Sequence, residues 1–222
     1  MSGMFRGRGR RTRKLRAFLR RRERTAAERR PELDCKSFPG LFRKRAVVFT
    51  DTADFTIRTA RDGILHFLMA FDNVVEMAAK VVKRTGGEVV KTEADSLLLR
   101  YEDPSAACRG VLQIDDALHR YNAGRPENEQ VHFSYGIGYG DLLDLEEDMF
   151  GLEMNLASKI GEDLAEPGEA LLTPSASASL QADLLERVVP YRIVTLGQQA
   201  IPVARLKLRG GVRGKVTRRR RA

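Results

Sequence analysis

Two aspartates carry the first suggestion of chemistry in this chain. Asp51 ends the apolar, β-prone run Ala46-Val47-Val48-Phe49, inside the stretch RAVVFTDTADFT of residues 45–56. Asp95 lies between GGEVVKTEA and SLLLRY, where an extended segment turns back on itself. A strand, a crossover helix and a hairpin in that order bring the end of the strand beside the hairpin turn. Two adjacent carboxylates repel, and one tends to hold a proton unless a cation lies between them. With no His or Cys nearby, such hard oxygen donors suit Mg²⁺ or Mn²⁺ bound together with phosphates. The same residue types also serve as a turn cap and a hairpin corner. Spacing alone leaves both readings open.

The elements that would position these residues alternate between strand and helix patterns. A strand at 45–50 is followed by a long amphipathic helix over 62–84, with Ile64, Leu65, Leu68, Phe71, Val75 and Ala78 at helical spacing. Gly86 suits a left-handed cap at its end. Then come a hairpin turning at Ala94-Asp95 and a helix over 104–121. The strand VHFSYGIGYG, an acidic loop DLLDLEED and a helix around GLEMNLASKIGEDLA follow. A Pro-Gly turn at 167–168 leads into EALLT, and two short strands near 187–196 and 201–208 close the order. This order predicts an α+β sandwich, a mainly antiparallel sheet with helices on one face.

Composition sets the boundaries. The chain has 222 residues, 42% of them hydrophobic, and a net charge of +9 that is unevenly spread. Residues 1–45 hold 17 Lys and Arg against 4 Asp and Glu, and residues 205–222 hold 9 basic residues and no acid. Between them 13 basic residues face 26 acids. The organisation expected is a basic, partly disordered arm over 1–43, an acidic domain over 44–208 and a basic tail over 209–222. The arms suit an anionic membrane surface or a nucleic acid, with Leu15, Phe18 and Leu19 as a small apolar stripe on a basic helix. The acidic core disfavours a polyanion elsewhere. The densest apolar run, ILHFLMAF, is too short to span a membrane. Cys35 and Cys108 are far apart and form no metal-ligand spacing, as in a reduced cytoplasmic protein.

Four stretches, VVFTDTADFT, GGEVVKTEADSLLLRY, GIGYG and DMFGLEMNLASKI, stand in the order of the class III adenylyl/guanylyl cyclase catalytic domain, and residues 44–208 resemble that family. The resemblance implies a ferredoxin-like, cyclase-type sandwich that converts ATP to cyclic AMP and pyrophosphate. It implies two Mg²⁺ or Mn²⁺ ions per site, on Asp51, Asp95 and the backbone carbonyl of Thr52. Lys91 and Asp148 match the pair that reads adenine, Phe55 and Thr56 match substrate-binding positions, and Asn155 matches the residue that orients the ribose. Lys159 stands where the family usually has an arginine at the α-phosphate. The site would form across a homodimer.

Several departures stand out. Lys159 offers no planar fork, Asp54 replaces a glycine, and TEAD replaces TIGD. The segment before Asp148 is short, so Asp144, Glu146 and Glu147 are close rivals for its role. Leu196 stands where a phosphate-touching lysine is usual. These departures also suit a weak or inactive cyclase-like module that binds nucleotide or dimerises.

Overall fold

The computed structural model describes residues 9–196 and 199–208, the side chains of Phe38 and Leu196 excepted. The basic tail over 209–222 and the first eight residues of the basic arm lie outside the described residues. The arm otherwise forms helices α1 (Arg10–Glu23) and α2 (Arg30–Leu41). The domain follows as β1 (Phe42–Thr52), α3 (Phe55–Asp62), α4 (Ile64–Arg84), β2 (Glu88–Glu93), β3 (Ser96–Tyr101) and α5 (Pro104–Asn122). Next come β4 (Phe133–Leu145), β5 (Asp148–Phe150), α6 (Leu152–Asp163) and β6 (Ala170–Leu172). The short helices α7 (Pro174–Ala178) and α8 (Ala182–Leu185) precede β7 (Val188–Leu196) and β8 (Gln199–Leu206).

The strands form one sheet in the order β2-β3-β1-β4-β6-β8-β7, and β5 pairs with the far end of β4. Among the described residues only β4 and β6 run parallel; the other pairs are antiparallel. The α+β class with a mostly antiparallel sheet therefore stands as expected. β1 is central because it is apolar on both sides. Ala46 and Val48 enter the main core with α4 and α5, while Val47 and Phe49 face a second cluster with Leu98, Leu142, Met149 and Ala157.

Ala157 belongs to α6, so this helix covers the sheet face opposite α4 and α5. The expectation of helices on one face is corrected here. The alternation of β4 explains the seat. Phe133, Tyr135 and Ile137 point into the main core, and Gly136 and Gly138 lie under α6. A Cβ at Gly136 would stand 1.9 Å from the Ala157 carbonyl oxygen, and one at Gly138 2.5 Å from that of Glu153. Helix and sheet approach too closely for any side chain between them.

Two further expectations change. The helix expected over 62–84 is α4, which begins at Ile64, and a further helix, α3, precedes it across Gly63, whose φ of 86° suits glycine. The buried stripe of α4 runs through Phe67, Ala70, Phe71, Val74, Ala78, Val81 and Val82. Ile64, Leu65 and Leu68 stand out at 43%, 79% and 44% exposure. Apolar residues on α4 span more than one face, and spacing could not tell which face meets the sheet. The acidic loop DLLDLEED is a tight hairpin: Leu143, Asp144 and Leu145 of β4 pair with Phe150, Met149 and Asp148 of β5. One of its acids, Asp144, is met by arginines distant in sequence.

Gly86 does take the left-handed conformation after α4, at φ 81°. Asp103 caps α5, its carboxylate accepting from the backbone N–H groups of Ser105 and Ala106 at 2.9 and 3.0 Å. On the arm, Leu15 and Leu41 bury against Leu145, with Phe18 beside them and Leu19 exposed. Part of the arm's charge turns inward: Arg22 pairs with Asp34 at 2.7 Å and Arg11 with Asp144 at 2.9 Å. No helix among the described residues is long and apolar enough to cross a membrane.

Candidate functional site

The first group of site residues gathers where β1 leaves the sheet. Leu97 donates its N–H to Thr50 Oγ1 at 2.9 Å, and Thr52 Oγ1 donates to the Asp95 carbonyl at 2.6 Å. These bonds fasten the end of β1 to the turn between β2 and β3. Asp51 and Asp95 thus share one end of neighbouring strands, as the order of elements predicts. The turn is tight enough to hold Ala94 at φ 53°. Burial pushes the Asp95 carboxyl above its ordinary range, against a smaller opposing effect from its own backbone N–H. On the other side of β1, Ser134 Oγ reaches the Gly161 carbonyl at 2.8 Å and the Asp51 carbonyl at 3.4 Å. Sequence reasoning assigned Thr52 through its carbonyl and missed the fastening role of its hydroxyl.

Beyond Asp51 the chain turns through Asp54, which is left-handed at φ 59° and precedes α3. Phe55 packs edge-on against Phe67 with ring centroids 4.7 Å apart, so its ring belongs partly to the core. Thr56 is exposed on the first turn of α3.

The second group is an ion pair. Lys91 on β2 reaches Asp148 on β5, Nζ to Oδ2, at 3.1 Å, and also Glu93 at 2.9 Å. Asp148 Oδ1 accepts from the Met149 N–H at 2.9 Å. Burial works to lower the Lys91 pKa, but its bonds to Glu93 and Asp148 prevail and raise it. Two of the three rivals of Asp148 are engaged elsewhere. Asp144 is buried among arginines, and Glu146 accepts from the Arg11 N–H at 2.9 Å. Glu93, the acid that TEAD adds, is a third member whose pairing with Lys91 the sequence did not announce.

The third group stands apart. Helix α6 buries Leu156, Ala157, Ile160 and Gly161 against the sheet, which leaves Asn155 and Lys159 on its exposed side. Lys159 is ion-paired with Asp163, one turn on. That hydrogen bond raises the Lys159 pKa. The structure therefore brings Asp51 beside Asp95 and Lys91 beside Asp148, and aims Asn155 and Lys159 away from the sheet that carries both pairs.

Among the described residues no group of three or more His, Cys, Asp and Glu is gathered for a metal. Two carboxylates and a carbonyl at one strand end, one carboxyl strained by burial, fit a cation that completes its shell from a phosphate ligand and water.

No protein-family model matches the chain. Among curated proteins it is 29% identical over 139 residues to an adenylate cyclase of Streptomyces coelicolor, covering 61% of this chain and 34% of that protein. It is 24% identical over 131 residues to the serine/threonine-protein kinase pkn2 of Myxococcus xanthus, covering 59% of this chain and 16% of that one. The match thus spans about a third of the length of one of these relatives and about a sixth of the other. Among solved structures, the catalytic core of a rhodopsin–guanylyl cyclase with converted specificity, in complex with ATPαS, superposes with a TM-score of 0.65 at 17% identity, covering 76% of this chain and 97% of that one. The fold is that of the class III nucleotide cyclase catalytic domain. Adenylate cyclases are among the proteins this chain resembles in sequence.

Proposed function

We propose that this chain is an adenylate cyclase, converting ATP to 3′,5′-cyclic AMP and pyrophosphate at sites shared by two copies. The observation that carries the reading is the Lys91–Asp148 pair at 3.1 Å. A lysine donor beside a carboxylate acceptor complements the ring nitrogen and the amino group of adenine. Guanine presents the inverted edge. On binding, Lys91 donates to the ring nitrogen and Asp148 accepts from the amino group, so the base replaces the contact the two make with each other.

Two Mg²⁺ or Mn²⁺ ions held by Asp51, Asp95 and the Thr52 carbonyl would acidify the ribose 3′-hydroxyl and neutralise the triphosphate. Phe55 and Thr56 open α3 beside that end of β1, where backbone N–H groups suit phosphate oxygens. The 3′-oxygen bonds to the α-phosphorus and gives up its proton. The bond from the α-phosphorus to the bridging oxygen breaks, and its electron pair leaves on pyrophosphate. Asn155 orients the ribose and Lys159 balances charge on the α-phosphoryl oxygens. Because these two project from the outer side of α6, they serve the site of a second copy, in a twofold pair. Ile57, Ile64, Leu65, Leu68 and Met69 leave apolar surface uncovered on α3 and α4, which favours association.

The test is to incubate purified protein with ATP and Mg²⁺ or Mn²⁺ and quantify cyclic AMP, with GTP in parallel. Asp51→Ala and Asp95→Ala should abolish product, and GTP should be the poorer substrate. Product that persists in either variant overturns the cation reading. A second reading, a nucleotide-binding module without turnover, is favoured by the pairing of Lys159 with Asp163. Nucleotide binding without cyclic AMP would support it.

A further inference from the structure

Asp144 is a carboxylate on β4 whose side chain is 1% exposed. A buried carboxylate is strongly unfavourable unless it is paired and hydrogen-bonded. Here three arginines from three separate elements meet it. Arg100 on β3 donates to Oδ1. Arg45 on β1 lies 3.4 Å from Oδ2 through Nε. Arg11 on α1 reaches Oδ2 at 2.9 Å and the Asp144 carbonyl at 3.1 Å through the same nitrogen.

The network does not end there. Arg100 also donates to the Leu145 carbonyl at 3.3 Å and to Glu88 on β2 at 2.5 Å. Arg45 reaches Glu102 at 2.5 Å. The backbone N–H of Arg11 holds Glu146 at 2.9 Å, in the turn between β4 and β5.

The placement of this network matters because of what its ends carry. Lys91 stands on β2 and Asp148 on β5, and three strands, β3, β1 and β4, separate them. Backbone pairing alone leaves the span between such distant strands open to twist and slip. Arg100 closes it: one amino group holds β2 at Glu88, three residues before Lys91, and the other holds β4 at Asp144 and Leu145. Leu145 is the residue paired with Asp148, and Asp144 is paired with Met149.

We propose that Asp144 is a positioning residue for base selection, and that helix α1 takes part in that selection through Arg11. The inference rests on the reading of Lys91 and Asp148 as the base-recognising pair. Arg100 and Arg45 set the Lys91–Asp148 separation from within the sheet, and Arg11 clamps the β4–β5 hairpin from outside. None of these residues touches the nucleotide. A pair held at fixed separation discriminates adenine from guanine more sharply than one free to re-space, because a mismatched edge leaves its polar groups unpaired.

The experiment uses the full chain and 3′-deoxy-ATP and 3′-deoxy-GTP, which lack the hydroxyl needed for cyclisation, so binding is read whether or not turnover occurs. The dissociation constants for the two ligands give a selectivity ratio. Arg11→Ala should lower that ratio about threefold to tenfold, the loss of one partly exposed charge-assisted contact. Arg11→Lys should recover part of it. Arg21→Ala, on the same helix and outside the network, should leave the ratio unchanged and so controls for net charge. Arg100→Ala should lower the ratio further, with thermal unfolding measured alongside to separate selectivity from loss of fold.

Lys91→Ala and Asp148→Ala distinguish the two ways of failing. If these variants leave the ratio unchanged, the base-recognition reading itself is wrong and the positioning inference falls with it. If they collapse the ratio while Arg11→Ala and a folded Arg100→Ala do not, base recognition stands and the positioning inference is overturned.

Discussion

Lys91 and Asp148 meet at 3.1 Å although three strands lie between those that carry them. Asn155 and Lys159 are four residues apart on one helix and face solvent, Lys159 joined to a neighbour on its own helix. Both groups have the residue types a nucleotide needs. The difference lies in how they are held. The first pair is assembled within one chain, so most of the entropy of placing it is settled when the chain folds. The second is held at its base, because α6 is seated on glycines of β4, while Asn155 and Lys159 point away from the sheet. A fold that fixes a helix so closely and turns its polar side outward suits a ligand brought by another molecule.

The largest expected effect breaks the comparison directly. Asp51→Ala removes the proposed cation end and should abolish cyclic AMP formation, and Asn155→Ala removes the proposed ribose end and should reduce it about 10²–10³-fold. When the two inactive variants are mixed and allowed to exchange subunits, each mixed pair has one site with both defects and one with neither. Random pairing then restores about a quarter of wild-type activity. A mixture that stays as inactive as its components would mean that the two groups act within one chain, and the outward aim of α6 would need another explanation.

A smaller effect sharpens the comparison. In Gly136→Ala the new methyl would sit 1.9 Å from the Ala157 carbonyl oxygen and 2.8 Å from the Gly161 nitrogen. Backbone on both sides cannot yield as a side chain would, so α6 must lift from the sheet. Stability should fall by about 1–3 kcal/mol, typical of overpacking, read from the urea midpoint. Turnover should fall with it, while the preference for 3′-deoxy-ATP over 3′-deoxy-GTP should fall less, because Asp148 is held by the pairing of β5 with β4 and by its bond to Lys91 as well as by the packing of Met149 beside Ala157. Equal loss of both would show that the two groups are not separately held.

These contrasts also explain what the sequence revealed. The apolar run into Asp51 and the hairpin around Asp95 are local patterns, and the order of elements places them side by side. Lys91 and Asp148 were legible through resemblance, and geometry then separated Asp148 from Asp144 and Glu146. The Asp144 network was not legible, because its three arginines come from α1, β1 and β3, and no local pattern announces that they converge. DLLDLEED read as an acidic loop for the same reason: the partners that let Asp144 be buried are distant in the chain. The exposure of Ile64, Leu65 and Leu68 was hidden by the apolar breadth of α4. The seat of α6 was hidden because GIGYG gives a strand pattern but does not say what lies above its glycines.

The smallest expected effect concerns Lys159. It is half-exposed and pairs with Asp163, a geometry in which solvent screens the interaction and little stability is at stake. Asp163→Ala should therefore leave the thermal midpoint unchanged within error. It should raise turnover about twofold if the pair holds Lys159 back from the phosphate, since a free ammonium then loses one competing acceptor. Lys159→Arg should raise turnover more, about threefold to tenfold, because a planar guanidinium can hold two α-phosphoryl oxygens at once and a point charge cannot. In the subunit-mixing assay the gain should appear when Lys159→Arg is placed on the chain carrying Asp51→Ala, whose α6 serves its partner's intact cation end. The same change on the Asn155→Ala chain should give none. A gain that follows the wrong chain, or a loss of turnover in Lys159→Arg, would show that position 159 does not reach the reacting phosphate across the pair.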